Sequence, residues 1–135
     1  MLKIAFSHNE KVVISDIELK REGTSYTRDT VAELKAMHPD SELYLLPGDD
    51  WIDSFDKWKD YKFILENARL VVAVRSGNDI RASLDRLEGL TGIRPLTLQN
   101  EKIELSSSQF RADPKKEFLP NGVFEYITER GLYGI

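Results

Sequence analysis

Three polar segments of the sequence carry side chains that could contact a phosphate, a sugar and a planar ring. The first is Gly48-Asp49-Asp50, followed by Trp58; the second begins at Arg75; the third is Ser106–Arg111, with the sequence SSSQFR. A carboxylate can accept hydrogen bonds from sugar hydroxyls, and an indole offers a flat face to a ring. A serine run that enters a helix offers hydroxyls and free N–H groups to an anion, and an arginine can grip phosphate at two points.

Each segment also has an ordinary structural explanation, which is the stronger one for any segment taken alone. Gly48 suits a turn, Asp50 a helix cap, Trp58 the core and Arg75 the surface, and the serine run suits a second helix cap. Trp51 is expected to pack in the core, as large aromatic residues of short amphipathic helices usually do. Taken together, however, phosphate, sugar and ring recognition at successive strand ends describe a nucleotide site.

The three segments follow three apolar stretches that read as strands. These stretches are ELYLL, RLVVAV and RPLTL. ELYLL and RLVVAV are nearly continuous apolar runs, which favour strands that are covered on both faces, as in parallel sheets. Such sheets bind ligands beyond the carboxyl ends of their strands. The sequence therefore predicts an α/β fold: a Rossmann-like parallel sheet with flanking helices and right-handed crossovers.

Helices and one further strand are predicted for the rest of the chain. LKIAFSHNE resembles the last turns of a helix with Leu2, Ala5 and Phe6 on one face, and KVVISDIEL is a β-branched strand. A helix is predicted from about residue 28 to 37, capped by Thr27 or Asp29. The remaining predicted helices are WIDSF, YKFILENA, NDIRASLDRLEGL and LPNGVFEYITERGLYGI.

Composition limits the possible classes of protein. With 135 residues, 41% hydrophobic and 31% charged, the chain is expected to form a single domain over residues 1–135. Its 19 basic and 23 acidic side chains are mixed along the length, which argues against a nucleic-acid partner or an acidic membrane surface. The absence of cysteine excludes disulfides, thiolate zinc sites and cysteine nucleophiles. No apolar segment approaches the roughly 20 residues that span a bilayer, so a cytoplasmic location is expected.

Five blocks of sequence share the order and the motifs of one enzyme family. They are SDIELKREGTSYTRDT, ELYLLPGDDWIDSFDKWKD, VVAVRSGND, SSSQFR and LPNGVFEYITERGLYG, and they run through nearly all of the chain. Together they resemble bacterial nicotinate mononucleotide adenylyltransferase, also called nicotinate-nucleotide adenylyltransferase. The resemblance implies a nucleotidyltransferase of NAD biosynthesis that joins ATP and nicotinate mononucleotide into deamido-NAD and pyrophosphate. It also implies Mg²⁺ on the phosphates of ATP.

The resemblance assigns four residues to the mononucleotide. Thr27, in the family's Ser-Tyr-Thr loop, would lie beside the nicotinate carboxylate, and Asp50 would contact the ribose. Trp58 would stack on the pyridine ring, and Arg75 matches the arginine of the family's Arg-Pro-Gly turn. Asp49 stands where the family usually has alanine, so an additional negative charge could weaken the affinity for an anionic mononucleotide.

The resemblance assigns the third segment to ATP. Ser106, Ser107, Ser108 and Arg111 match the family's Ser-Ser-Thr-x-Ile-Arg motif, which contacts the phosphates. Serine in place of threonine keeps the hydroxyl group. The motif therefore retains its hydrogen-bonding chemistry.

The family's His-x-Gly-His motif, which follows a first strand, has no counterpart in the sequence. The two histidines, His8 and His38, have no companion at the required spacing and are expected at the surface. The chain is therefore predicted to begin partway through the nucleotidyltransferase fold, as a partial domain that lacks the first strands. The LYLL strand would then be an unpaired edge. The VVIS strand would be detached, paired unusually or completed by another chain, in a homo-oligomer or with a complementing N-terminal segment.

Two functions from different classes follow from these observations. One is adenylyl transfer, in which the nucleotide phosphate attacks ATP directly and no protein nucleophile is needed. The other is a catalytically inactive fragment that retains mononucleotide binding or an interaction role. Within the first, nicotinamide mononucleotide is a rival substrate that differs by one charge.

Overall fold

A three-stranded parallel sheet positions the candidate site. The computed structural model describes residues 1–74, 79–98 and 106–135. Its strands β1 (Leu43–Leu45), β2 (Ala68–Ala73) and β3 (Leu96–Leu98) lie in the order β1-β2-β3. Leu43 pairs with Ala68 and Val71 pairs with Leu96, both in parallel. The predicted parallel sheet is therefore confirmed, and β1 is an edge strand of the described sheet.

The chain divides into two compact units. One, here called the sheet unit, is Ile17–Glu104; the other, the terminal unit, combines Met1–Asp16 with Leu105–Ile135. Besides the strands, the sheet unit contains α2 (Thr27–Met37), a 3-10 helix (Asp49–Lys57), α3 (Tyr61–Asn67) and α4 (Arg81–Thr91). The terminal unit contains α1 (Leu2–Ala5), α5 (Ser107–Ala112), α6 (Val123–Glu129) and two 3-10 turns (Lys116–Phe118 and Leu132–Gly134). The prediction of one domain over residues 1–135 stays a prediction.

The core of the sheet unit lies against one face of β2. Ala68, Leu70 and Val72 are buried, whereas Arg69 between them is exposed, because successive strand residues point to opposite faces. The helices contribute the rest of this core, with these buried residues: Val31, Trp51, Ile52, Phe55, Ile64, Leu84 and Leu87. All three residues of β3 are exposed. In β1, Tyr44 is 53% exposed. The expectation that the ELYLL and RLVVAV strands are covered on both faces is therefore wrong at Tyr44 and at Arg69.

The terminal unit has a smaller core of its own. Phe110, Val123 and Ile127 are buried there. The ring of Phe110 meets that of Tyr133 edge to face at 5.6 Å between centroids. Ile4 of α1 packs against the same cluster. This short helix therefore has an anchoring contact although it spans little more than one turn.

Two predicted features of the first twenty residues are wrong. Residues 12–15, all in the described part of the chain, form no strand, and Val13 is 86% exposed. A strand needs a neighbour to receive its hydrogen bonds, and none of the described strands pairs with this segment. In α1 the inward residues are Ile4 and Ala5, whereas Leu2 and Phe6 are exposed. His8 and His38 are exposed as predicted.

Candidate functional site at the carboxyl edge of the sheet

The segment after β1 continues to pair with β2 as far as the carboxyl edge of the sheet. The N–H of Ala73 donates to the carbonyl oxygen of Pro47 at 3.3 Å, and Gly48 forms a parallel bridge with Ala73. Gly48 has φ −70° and ψ 173°, an extended conformation that any residue adopts. It therefore serves as strand extension rather than as the glycine turn that the sequence suggested. This pairing delivers Asp50 to the edge where parallel sheets bind ligands.

Asp50 lies in the first turn of the 3-10 helix and its side chain is exposed. The helix cap is Gly48, so the ordinary explanation of Asp50 as a cap is wrong. A carboxylate in the first turn of a helix is favoured by the N–H groups that point towards it. The position therefore places a solvent-accessible carboxylate at the edge of the sheet.

Trp58, at the other end of the same helix, is part of an aromatic cluster centred on Phe55. The Phe55 ring is completely buried, with its centroid 5.1 Å from that of Trp51, 5.4 Å from Trp58 and 6.0 Å from Tyr61. Trp51 is buried, as predicted. Trp58 is only half-buried, and its N–H donates to the carbonyl oxygen of Phe55 at 3.0 Å. Both its ring and its backbone are therefore fixed, while part of the indole stays accessible.

Thr27 is the first residue of α2 and is half-buried. The cap of α2 is Tyr26, without a side-chain hydrogen bond, so the predicted caps Thr27 and Asp29 are wrong. The loop before the helix is held by Arg21, whose guanidinium donates to Ser25 Oγ, to Thr30 Oγ1 at 3.2 Å and to a carboxylate oxygen of Glu33 at 2.9 Å. These hydrogen bonds therefore hold the loop that leads into Thr27 against α2.

The turn that contains Thr27 contacts the segment after Trp58. The ammonium group of Lys59 lies 4.1 Å from the centre of the Tyr26 ring and 3.7 Å from a carboxylate oxygen of Asp29. Within the sheet unit, these contacts link the start of α2, which contains Thr27, to the segment directly after Trp58. Asp50 lies at the opposite end of the 3-10 helix from Trp58. Their roles towards a ligand stay predictions.

The SSSQFR segment begins α5 in the terminal unit. Ser106 Oγ accepts from the Gln109 N–H at 3.2 Å, and Gln109 Oε1 accepts from the Ser106 N–H at 2.7 Å, which is a capping box. The ordinary explanation of a helix cap is therefore correct for Ser106. Ser107 and Ser108 are exposed, and Arg111 is exposed with its guanidinium 3.4 Å from Ser108 Oγ. These hydroxyls and this cation are accessible to an anion.

Arg75, the fourth residue assigned to the mononucleotide, lies outside the described residues, as does the rest of its Arg-Ser-Gly turn. In the described part of the chain, no group of three or more histidine, aspartate or glutamate side chains is arranged to hold a metal ion. Likewise, none of the described helices is long and apolar enough to cross a membrane.

Ion pairs fix the helices that surround the edge. The Arg86 guanidinium of α4 donates to an Asp56 carboxylate oxygen of the 3-10 helix at 3.1 Å, and this hydrogen bond lowers the pKa of Asp56. At the start of α4, Asp79 accepts from the side chain and from the backbone N–H of Arg81. These bonds hold the pKa of Asp79 at about 2. Both carboxylates therefore stay ionised well below neutral pH.

Comparison with known families agrees with this fold. A family model described as cytidylyltransferase-like matches residues 1–113. The chain therefore belongs to the cytidylyltransferase-like family, and the prediction that it is a nucleotidyltransferase is confirmed.

Its curated relatives define the particular branch. Proteins named "Probable nicotinate-nucleotide adenylyltransferase" are 33% identical in Borreliella burgdorferi, 32% in Lachnoclostridium phytofermentans and 34% in Mycobacterium tuberculosis. Each alignment covers 98% of this chain, and it covers 67%, 70% and 65% of these relatives, respectively. The chain thus spans about two thirds of the length of these proteins. The resemblance drawn from the five sequence blocks is confirmed.

Solved structures match the fold. The Plasmodium falciparum nicotinic acid mononucleotide adenylyltransferase complexed with APC aligns with a TM-score of 0.73 at 19% identity. The alignment covers 98% of this chain and 72% of that one. The same enzyme complexed with NaAD gives a TM-score of 0.73 at 18% identity, with 98% and 71% covered. At this identity the likeness establishes the fold, and the predicted Rossmann-like class is confirmed.

Proposed function

We propose that the chain transfers the adenylyl group of ATP to nicotinate mononucleotide, giving deamido-NAD and pyrophosphate. One set of observations carries most weight: the neighbours of the residues assigned to the mononucleotide are in contact. The ring of Trp58 meets that of Trp51, which follows Asp50, and Lys59, which follows Trp58, contacts Tyr26, which precedes Thr27. The curated relatives carry the name of this activity. None of the described residues provides an observation that favours the inactive fragment.

Each of the three residues supplies a different chemical contact in this proposal. The accessible part of the Trp58 indole stacks on the pyridine ring. The Asp50 carboxylate accepts hydrogen bonds from the ribose hydroxyls. Thr27, at the start of α2, lies beside the nicotinate carboxylate, where free N–H groups of the first helical turn favour a negative charge. Arg75 completes the mononucleotide site in this proposal.

ATP is assigned to the SSSQFR segment. Ser107, Ser108 and the N–H groups of the first turn of α5 would bind phosphate oxygens, and Arg111 would add a bidentate guanidinium. Ser106 acts indirectly, because its hydroxyl and N–H already form the capping box. Mg²⁺ enters with ATP as part of the substrate, where it neutralises the phosphates.

The reaction needs positioning and charge stabilisation rather than a protein nucleophile. A phosphate oxygen of the mononucleotide attacks the α-phosphorus of ATP, and the bond from that phosphorus to the oxygen bridging to the β-phosphate breaks. Pyrophosphate leaves with the electron pair. Cations and helix N–H groups stabilise the charge that develops on the transferred and leaving phosphates. A cytoplasmic location is part of this proposal, and self-association stays a prediction.

Pyrophosphate release on mixing the chain with ATP, Mg²⁺ and nicotinate mononucleotide tests the proposal. Turnover would show that the chain is an active enzyme and not an inactive fragment. Quenching of tryptophan fluorescence by the mononucleotide without turnover would support the inactive fragment instead. Absence of both would contradict any mononucleotide-binding function. Parallel assays with nicotinamide mononucleotide measure the preference for the carboxylate.

Substitution of Trp58 tests its assigned contact. Trp58→Ala should weaken nicotinate mononucleotide binding by about 5- to 150-fold, because removing an aromatic platform for a base costs about 1–3 kcal/mol. Trp58→Phe should retain part of the affinity. The matched control is Trp51→Phe, which changes a buried indole in the same cluster. Equal effects of Trp58→Ala and Trp51→Phe on affinity would contradict stacking on Trp58.

A further inference from the structure

Two segments of the sheet unit are joined by contacts that cross in both directions. One segment is the start of α2 and the other runs from the residue after Trp58 into α3. Each segment supplies a cation, an anion and an aromatic ring to the other. We call these six side chains the crossed clamp: Tyr26, Arg28 and Asp29 on one side, and Lys59, Asp60 and Phe63 on the other.

Lys59 reaches from the second segment to the first. Its ammonium group lies over the Tyr26 ring at 4.1 Å and 3.7 Å from an Asp29 carboxylate oxygen. A cation over an aromatic face is attracted by the charge distribution of the ring, and the carboxylate adds to this attraction. Lys59 directly follows Trp58, and Thr27 lies between Tyr26 and the next clamp residue. These contacts therefore connect the neighbours of both predicted ligand residues.

Arg28 reaches in the opposite direction. The centre of its guanidinium lies 4.3 Å from the centroid of the Phe63 ring, and its Nε lies 3.4 Å from an Asp60 carboxylate oxygen. Arg28 also contacts Asp29 at 3.4 Å, which links the two halves of the clamp. Asp60 has φ 50°, a left-handed conformation that is strained for residues other than glycine. A strained turn therefore lies within the clamp, directly before α3.

We infer that the crossed clamp sets the spacing between Thr27 and Trp58, which makes Lys59 and Arg28 positioning residues for the mononucleotide. The inference rests on the proposed function, in which Thr27 faces the carboxylate of the pyridine ring and Trp58 faces its plane. A rigid separation between these two contacts holds a flat, negatively charged ring without reorganisation of the protein. The clamp side chains are balanced in charge, with two cations and two anions, so they act through geometry rather than through net charge.

Lys59→Met is the central variant, because it keeps a long side chain but removes both the cation–ring and the ion-pair contact. It should weaken nicotinate mononucleotide binding and raise the KM for this substrate by about fivefold, with the KM for ATP unchanged. Lys59→Arg should restore most of the affinity, since a guanidinium can make both contacts. The matched control is Lys62→Met, an equal change of charge at an exposed position in α3.

A double-mutant cycle with Arg28→Met separates the clamp from two independent contacts. If the two cations hold one spacing, Lys59→Met and Arg28→Met should be less than additive in their effect on mononucleotide affinity. Urea unfolding of each variant corrects for any loss of folded protein. The clamp is overturned if Lys59→Met binds the mononucleotide as tightly as Lys62→Met, or if the KM values for ATP and the mononucleotide rise together.

A ligand-free measurement distinguishes failure of the clamp from failure of the proposed function. The sequence contains two tryptophans, and their rings lie 5.7 Å apart at an angle of 51°, so their circular dichroism depends on the orientation of Trp58. If the unaltered chain neither binds nor turns over the mononucleotide, the proposed function fails. Loss of this tryptophan signal in Lys59→Met and Arg28→Met, but not in Lys62→Met, then still supports the clamp. An unchanged signal in both variants overturns it.

Discussion

Replacing Phe55 with alanine removes the ring on which the aromatic cluster of the sheet unit is centred. Its side chain is completely buried and meets three other rings, with centroids at 5.1, 5.4 and 6.0 Å. The rings of Trp51 and Tyr61 would lose a shared neighbour, and Trp58 would lose its inner support. The substitution therefore tests both the core of this unit and the platform proposed for the ligand.

The expected cost follows from this burial. Truncating a buried phenylalanine to alanine typically costs about 3–5 kcal/mol, because both the transfer free energy of the ring and the cavity left behind count. Phe55 belongs at the upper end, since none of its surface is exposed and each aromatic pair contributes about 0.5–1.5 kcal/mol beyond its buried area. A domain of this size is stable by about 5–15 kcal/mol. The variant should therefore lose at least a quarter of the free energy of unfolding.

Urea unfolding followed by tryptophan fluorescence measures this loss in the free energy of unfolding of the sheet unit, where Phe55 lies. Both tryptophans lie in the sheet unit, so the signal reports that unit directly. Linear extrapolation gives the free energy of unfolding, and an unchanged slope indicates that the folding mechanism is retained. The matched control is Leu90→Ala, which truncates a large apolar residue of the same unit that is 49% exposed and should cost less than about 1 kcal/mol.

A loss below about 1 kcal/mol for Phe55→Ala, or a loss no greater than that of Leu90→Ala, would refute this reasoning. It would mean that the ring is not enclosed and that the cluster does not support Trp58. A second readout is the binding of nicotinate mononucleotide by the folded fraction. If Phe55→Ala lowers the free energy of unfolding but leaves this affinity unchanged, the burial of Phe55 is confirmed. The proposal that Phe55 supports the Trp58 ring for ligand binding is then contradicted.

Three further predictions concern caps, charge and backbone. Ser106→Ala should destabilise the terminal unit by about 1 kcal/mol, because the capping box is lost. The control Ser107→Ala should be nearly neutral, and thermal unfolding followed by far-UV circular dichroism measures both variants. The pKa of Asp79, held at about 2 by Arg81, lies below the ordinary value near 3.9. Its contribution to stability should thus be complete above about pH 4 and disappear towards about pH 2, which NMR titration and the acid unfolding of Asp79→Asn would reveal. Gly122→Ala should cost about 1–2 kcal/mol in thermal unfolding, because φ is 79° and the new Cβ would lie 3.0 Å from an isoleucine methyl group of α1.

Helices with regular apolar spacing were predictable from the sequence alone. The helix predicted from about residue 28 to 37 is α2, Thr27–Met37, with Val31 buried. The helix predicted in NDIRASLDRLEGL is α4, Arg81–Thr91, which buries Leu84 and Leu87 and ends at Gly92 in the left-handed conformation. Their amphipathic pattern is local, since residues three and four apart share one face whatever the rest of the chain does.

Strand pairing was less predictable because it depends on distant residues. VVIS has the β-branched composition of a strand, yet residues 12–15 of the described chain make no ladder. Conversely, Leu96–Leu98 pairs with β2 although all three residues are exposed. Composition indicates that a segment can be extended. Only the position of a neighbouring strand decides whether its N–H and C=O groups are used.

The candidate site shows the same division. Residue types and motif order were sufficient to select Thr27, Asp50 and Trp58, and the sequence resemblance to the family is confirmed. No local pattern predicted that Phe55 would contact Trp58 through both ring and backbone, or that Lys59 would reach Tyr26. The abundance of charged and aromatic residues around the Ser-Tyr-Thr loop was the only available hint.

The sequence by itself determined the family, the order of the helices, the parallel arrangement of the central strands and the chemical groups offered to a ligand. These follow from local periodicity and from motifs that are contiguous in the chain. Tertiary structure alone decided which extended segments became strands, which aromatic residue centres the cluster, and how Thr27 is tied to the region of Trp58. The physical reason is that hydrogen-bond ladders, ring contacts and ion pairs join residues far apart in the chain, so their partners are fixed only when the chain has folded.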